Sequence, residues 1–156
     1  MKKPSTNDFI IGKILKSENI LFIKGISTKE EIISFLINSH SNNLDNCSLV
    51  QEKVLKRESI MPTSVGLGIA IPHVISSHVS KLLLAIGISQ NGIMWDSTDQ
   101  ILTHIVILIL SPEKRREYYK LLGELNHILN TENKRELIVS ALDEKFIYNL
   151  FISGVS

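Results

Sequence analysis

The chain has 156 residues, 44% of them hydrophobic and 21% charged, with a formal net charge of +1. That length suits one core, so residues 1–156 are expected to form a single domain. The near-neutral charge excludes a general attraction to nucleic acid, and the one cysteine, Cys47, excludes an intrachain disulfide and fits a reducing cytoplasm.

The start, "MKKPSTNDFI", meets Asn7 and Asp8 before any apolar stretch. The longest apolar run, Ile105 to Leu110, is far short of the ~20 residues that cross a bilayer, so no direct membrane insertion is expected. Asn7 to Leu15 reads as a short helix capped by Ser5 or Thr6. "NILFIKG" reads as a strand ended by Gly25. "STKEEIISFLINS" opens with a capping signature at Ser27 or Thr28, followed by Glu30 and Glu31. "NSHSNNLDN" (38–46) is a loop of turn formers in which His40 is expected to be solvated, and Asp45 is expected to cap a second helix to about Ser59.

"GLGIAI", "KLLLAIGIS" and "HIVILIL" read as strands. Runs apolar on both faces belong in a sheet covered on both sides. Asn91-Gly92 is expected to turn a hairpin. After Ser111-Pro112 the period becomes helical: Leu121, Leu122, Leu125, Ile128 and Leu129 mark one face of a long helix. "KRELIVSAL" and "EKFIYNLF" give two more. The expected fold is α/β, a single domain with a mixed β-sheet sandwiched between helices in three layers and a helical C-terminal part.

Of the five histidines, His40 and His78 lie in polar loops, His104 begins a strand, and His127 is off the leucine stripe. His73 differs in its setting. Pro72 has a fixed φ and holds the residue before it extended, so His73 is presented with little freedom at a strand end, where α/β sheets build sites. Gly66 and Gly68 permit a bulge or a close backbone approach. On these residues alone, a plain exit turn competes with function. His73 and His78 lack metal-ligand spacing, and no metal or cofactor is expected. There is no G-x-S-x-G, P-loop or dinucleotide fingerprint. The chemistry left is histidine as general base or nucleophile.

The longer stretch "KRESIMPTSVGLGIAIPHV" (56–74) resembles the enzyme IIA domain of the fructose/mannitol type in the bacterial phosphoenolpyruvate-dependent sugar phosphotransferase system, a group that includes nitrogen-regulatory IIA proteins. Arg57, Glu58, Thr63, Gly66, Gly68, Ala70, Pro72 and His73 carry it without a gap. The resemblance spans about residues 7–152, with Asp99 of "GIMWDSTDQ" where an aspartate usually stands. It implies that His73 is a phosphoryl acceptor, charged by an HPr-type histidine phosphocarrier protein and discharged to a cysteine of a IIB component. The nitrogen-type alternative is control of a regulated partner protein by His73 phosphorylation, without sugar transport. Arg57 then neutralises phosphate, or else pairs with Glu58 or another carboxylate. Thr63 and Ser64 offer phosphate-binding hydroxyls, or else cap a loop.

Two departures stand out. Ser64 occupies a usual glycine position and does not take positive φ cheaply. Tyr118 stands where the family often carries a second histidine, Tyr119 if the register slips by one. A neutral phenol supplies no imidazolium.

Overall fold

The computed structural model describes residues 8–26, 28–96 and 99–154. Ser5, Thr6, Asn7 and Ser27, all expected at helix starts, lie outside these. The first helix, α1 (Ile10–Ile14), begins later than expected and has no side-chain cap of its own. Its first N–H groups, on Ile10 and Ile11, donate instead to the two carboxylate oxygens of Glu124 at 2.8 and 2.9 Å. A carboxylate suits the positive end of a helix.

β1 (Ile20–Phe22) leads to α2 (Lys29–Asn38), where the Thr28 hydroxyl accepts from Glu31 N–H as the capping signature requires. α3 (Cys47–Ile60) is capped by Asn46 rather than Asp45. The cap must reach the N–H three residues on, and Asn46 Oδ1 accepts from Leu49 N–H at 3.0 Å.

The sheet contains β1, β2 (Ser64–Gly66), β3 (Ile69–Ala70), β4 (His73–Ile75), β5 (Leu83–Ile93) and β6 (Thr103–Ser111). Its order is β1-β5-β6-β3-β2, with β4 also paired to β6. β1 runs parallel to β5, β5 antiparallel to β6, and β3 and β4 parallel to β6, so the sheet is mixed. The chain ends in α4 (Arg116–Leu129), α5 (Glu132–Ser140) and α6 (Glu144–Gly154).

The apolar-on-both-faces pattern explains the layers. Along β6, Ile105, Ile107 and Ile109 join Tyr118, Leu121, Leu125 and Ile128 of α4 and the buried residues of α1, α5 and α6. The alternate residues Val106, Leu108 and Leu110 join Ile32, Ile33 and Leu36 of α2 and Val50 and Val54 of α3. The sheet is thus buried between two helical layers. Among the described residues, no helix is long and apolar enough to cross a membrane.

Three expectations need correction. "GLGIAI" is not one strand: Gly66, Leu67 and Gly68 all have positive φ and turn β2 back into β3. Asn91-Gly92 turns no hairpin. β5 runs through it, because the left-handed Gly92 is absorbed in a register irregularity before Ile93 pairs with Thr103. His40 is not solvated but buried, since its Nε2–H donates to the Leu84 carbonyl of β5 at 2.8 Å and draws the polar loop onto the sheet.

Candidate functional site

β3 and β4 lie on one edge of β6 in one register, Ile69 opposite Ile105 and His73 opposite Ile109. They are a single parallel line interrupted at Ile71-Pro72. Proline has no N–H to donate, so pairing lapses there, while the Pro72 carbonyl still accepts from Ile109 N–H at 3.1 Å. The sheet therefore holds the backbone on both sides of the interruption, and His73 starts a new paired segment rather than dangling from an old one.

His73 is half-buried, and its Nδ1 lies 2.8 Å from the Ile71 carbonyl oxygen. A carbonyl only accepts, so Nδ1 carries the hydrogen and Nε2 carries the free lone pair. One backbone contact thus fixes both the tautomer and the ring direction.

The Tyr118 ring lies beside it, with centroids 6.0 Å apart and planes tilted by 39°. Tyr118 is buried and Tyr119 exposed, so Tyr118 is the residue that faces His73. Burial pushes the Tyr118 hydroxyl above its ordinary value, and Tyr119 adds to this; the positive charges of Arg57 and Arg115 act against it. The phenol is therefore neutral at physiological pH, and two guanidinium groups lie within electrostatic reach of it. Arg115 escaped the sequence reading. Its signal is its place at the start of α4, three residues before Tyr118 and on the same side of the first turn.

Arg57 does not pair with Glu58. Its Nη1 donates to the Met61 carbonyl at 3.0 Å, closing the end of α3, and its other N–H groups remain. Glu58 is buried and fully engaged. Oε1 accepts from Thr63 N–H at 2.9 Å and from Trp95 Nε1–H at 2.8 Å, and Oε2 accepts from the Thr63 hydroxyl at 2.6 Å. Glu58 and Trp95 thus fix the loop between Arg57 and β2. The Thr63 hydrogen is committed to Glu58, and its carbonyl accepts from Ile71 N–H at 3.1 Å. Ser64 avoids positive φ, so its replacement of glycine adds no backbone strain. Its Oγ is buried without a hydrogen-bond partner.

Asp99 secures the neighbouring turn. Its Oδ2 accepts from Leu67 N–H at 3.2 Å and its Oδ1 from Ile101 N–H at 3.0 Å. Gly68 meets the expectation of a close approach, since a Cβ there would lie 3.2 Å from the Leu102 carbonyl oxygen. Of the other histidines, His78 and His127 are exposed, and His104 Nδ1–H donates to the Ser89 carbonyl at 2.8 Å.

Residues 13–154 match the family described as phosphoenolpyruvate-dependent sugar phosphotransferase system, EIIA 2. The chain belongs to this family. Among relatives of this EIIA chain, the fructose-specific EIIA component of Haloferax volcanii is 30% identical over 148 residues, covering 93% of this chain and 96% of that protein. The multiphosphoryl transfer protein 1 of Escherichia coli is 29% identical over 142 residues, covering 90% of this chain. The EIIA chain spans only 17% of that protein's length.

Among the solved structures that share the fold are two of IIA proteins. One is the nitrogen regulatory protein IIA-Ntr of Neisseria meningitidis, with a TM-score of 0.84 and 20% identity, covering 91% of this chain and 99% of that one. The other is enzyme IIA of mannitol in complex with phosphorylated enzyme IIB from Escherichia coli, with a TM-score of 0.78 and 22% identity, covering 89% and 97%. The family is a phosphotransferase component, one relative is fructose-specific, and the α/β sandwich expected from the apolar patterning is the fold shared with IIA-Ntr.

Proposed function

We propose that this protein takes a phosphoryl group on Nε2 of His73 from an HPr-type histidine phosphocarrier protein in the cytoplasm and passes it to a IIB component. The observation that carries this is the Nδ1 contact to the Ile71 carbonyl, which leaves Nε2 as the nucleophilic atom. In the forward step the Nε2 lone pair forms a bond to phosphorus as the donor's P–N bond breaks and its electrons return to the donor imidazole. In the second step the acceptor's nucleophile forms a bond to phosphorus as the new P–N bond breaks and its electrons return to Nε2 of His73. The Ile71 carbonyl supports the positive charge shared by the ring while it is phosphorylated.

Phosphoryl transfer asks the protein for positioning and charge neutralisation more than for covalent machinery. Arg57 offers its remaining N–H groups to the phosphoryl oxygens, and Arg115 adds a second charge from the start of α4. Tyr118 donates its hydroxyl hydrogen. Of the two hydroxyls beside the strand, Ser64 is the one without a partner, and Thr63 acts through its bond to Glu58.

The regulatory alternative rests on Tyr118. With a phenol in place of an imidazolium beside His73, the phosphoryl oxygens meet a neutral donor rather than a charged one, which suits a phosphorylation state that is read by a partner rather than passed on. Incubation with labelled phosphoenolpyruvate, enzyme I and HPr is expected to give an acid-labile label that is lost in His73→Ala. A label that survives this substitution contradicts the proposal. Rapid discharge to a IIB component favours transport, and stable retention favours regulation.

A further inference from the structure

A cavity of about 620 Å³ opens between the β2–β3 turn, the start of β6 and α5. That is the size of a small-molecule site, ~300–1,000 Å³. Its walls are mainly apolar, from Leu67, Ile101, Ile105 and Val139. It stands apart from the Arg57–Tyr118 cluster. Ile109, the partner of His73, comes four residues after Ile105, about 13 Å along β6.

β6 is distorted so that His104 reaches this cavity. The N–H groups of His104 and Ile105 both donate to the Gly68 carbonyl, at 2.8 and 3.0 Å. Two residues against one is the pairing of a β-bulge, which re-aims a side chain. A regular strand would send His104 and Ile105 to opposite faces, yet both line the cavity. The ring is half-buried, and its Nδ1–H is held by the Ser89 carbonyl. Nε2 therefore keeps its lone pair and can only accept. Two left-handed glycines leave space beside it. A Cβ on Gly68 would lie 3.6 Å from His104 Cδ2, and a Cβ on Gly92 would lie 3.0 Å from Cε1. These are the two ring carbons that flank Nε2.

The α5 wall sets the charge. Glu132 and Glu136 are exposed, one turn apart, and outside any ion pair among the described residues. Glu132 suits the positive start of α5. Glu136 has no such duty, and like charges four residues apart repel. Arg135 also lines the cavity, but its Nη1 donates to the Leu129 carbonyl at 2.7 Å. The rim thus carries two negative charges to one positive, and its sheet-side ring nitrogen accepts. A partner that complements it brings a positive charge and hydrogens to donate.

We propose that this cavity binds a small organic amine. Its ammonium donates to His104 Nε2 and is neutralised by Glu132 and Glu136, and its apolar body lies against Ile105 and Val139. An ammonium has three hydrogens and accepts none, which matches a wall of acceptors. A bare metal ion would leave the apolar walls unused, and an anion would meet the two carboxylates. The site does not depend on phosphoryl transfer at His73.

Tryptamine, indole-3-propionate and indole share one apolar body and differ in charge. Each is titrated into the full chain near neutral pH while amide and ring-nitrogen shifts are recorded. Tryptamine is expected to give saturable shifts at His104 Nε2 and at the amides of Gly68, Ile105 and Val139. It should bind several-fold tighter than indole, and indole-3-propionate should not saturate. Glu136→Gln, on the exposed side of α5, should weaken tryptamine several-fold. His104→Phe, which keeps a ring but loses the acceptor, should do the same. Equal affinity for the three compounds would make this a plain apolar cleft. That result, no saturable binding of tryptamine, shifts centred outside the cavity, or full affinity in Glu136→Gln overturns the proposal.

Discussion

Removal of the Glu58 carboxylate would strand the Thr63 N–H, the Thr63 hydroxyl and the Trp95 indole N–H beneath the loop that leads to β2. Each buried donor left unpaired costs ~1–3 kcal/mol, so Glu58→Ala is predicted to lower stability by about 3 kcal/mol or more in a denaturant titration. Arg57→Ala should behave differently. It gives up one bond, to the Met61 carbonyl, worth about 1 kcal/mol, but slows phosphorylation of His73 by roughly 100-fold or more, as loss of a charge-stabilising donor does. A variant that folds normally and is phosphorylated at the native rate would remove Arg57 from the phosphate site. Tyr118 gives a pH test. Its hydroxyl is held above the ordinary ~10, so the wild-type residue 118 neither gains nor loses a proton near neutrality. Tyr118→His should add one further ionisation to the pH profile of the phosphotransfer rate, beyond those of the wild type.

The hairpin between β2 and β3 places Leu67, a non-glycine residue, at φ 58, and Asp99 holds its N–H there. Left-handed backbone costs an ordinary residue ~1–2 kcal/mol, so Leu67→Gly is predicted to be neutral or stabilising despite the added freedom of glycine in the unfolded chain. Gly68→Ala should destabilise by about 1–2 kcal/mol, since it adds the same backbone strain and brings a Cβ to 3.2 Å from the Leu102 carbonyl oxygen. Thermal unfolding of the two variants checks the opposite signs. These glycines also show what a sequence reading sees and misses. Apolar spacing placed β5, β6 and α4 well, because a residue buried on a sheet or helix face is selected mainly for its contact with the core. It misread "GLGIAI" and Asn91-Gly92 in complementary ways. Positive φ serves a turn or a bulge equally, and only the strand paired alongside decides which. The restrained backbone at Pro72-His73 was legible, but not that His73 opens a second paired segment instead of ending the first. The partners of Glu58 were not, because Trp95 lies far away in sequence and no local pattern announces a bond between two loops.

Across the molecule, the sheet separates two cores, and His40 ties the outer loop to its backbone. The loop composition hid this, since a polar stretch reads as solvated until one member finds a carbonyl on β5. Burial keeps the His40 ring neutral in the fold, below its ordinary value. In the unfolded chain the ring protonates near ~6.5, so the unfolded state binds more protons below that pH. The His40 contribution to stability is therefore complete above ~6.5 and is lost as pH falls toward the lower folded value. His40→Gln, whose amide can still donate to Leu84, should flatten the stability profile on the acid side, as read from unfolding midpoints over that range. An unchanged slope would mean that the buried ring is not the group responsible.

The central claim concerns one atom, and nitrogen-15 spectra of the phosphorylated chain test it directly. The Nδ1–H bond to the Ile71 carbonyl predicts phosphorus coupling at Nε2 of His73, with Nδ1 still protonated. Coupling at Nδ1 of His73, or at the ring of any other histidine, would contradict it.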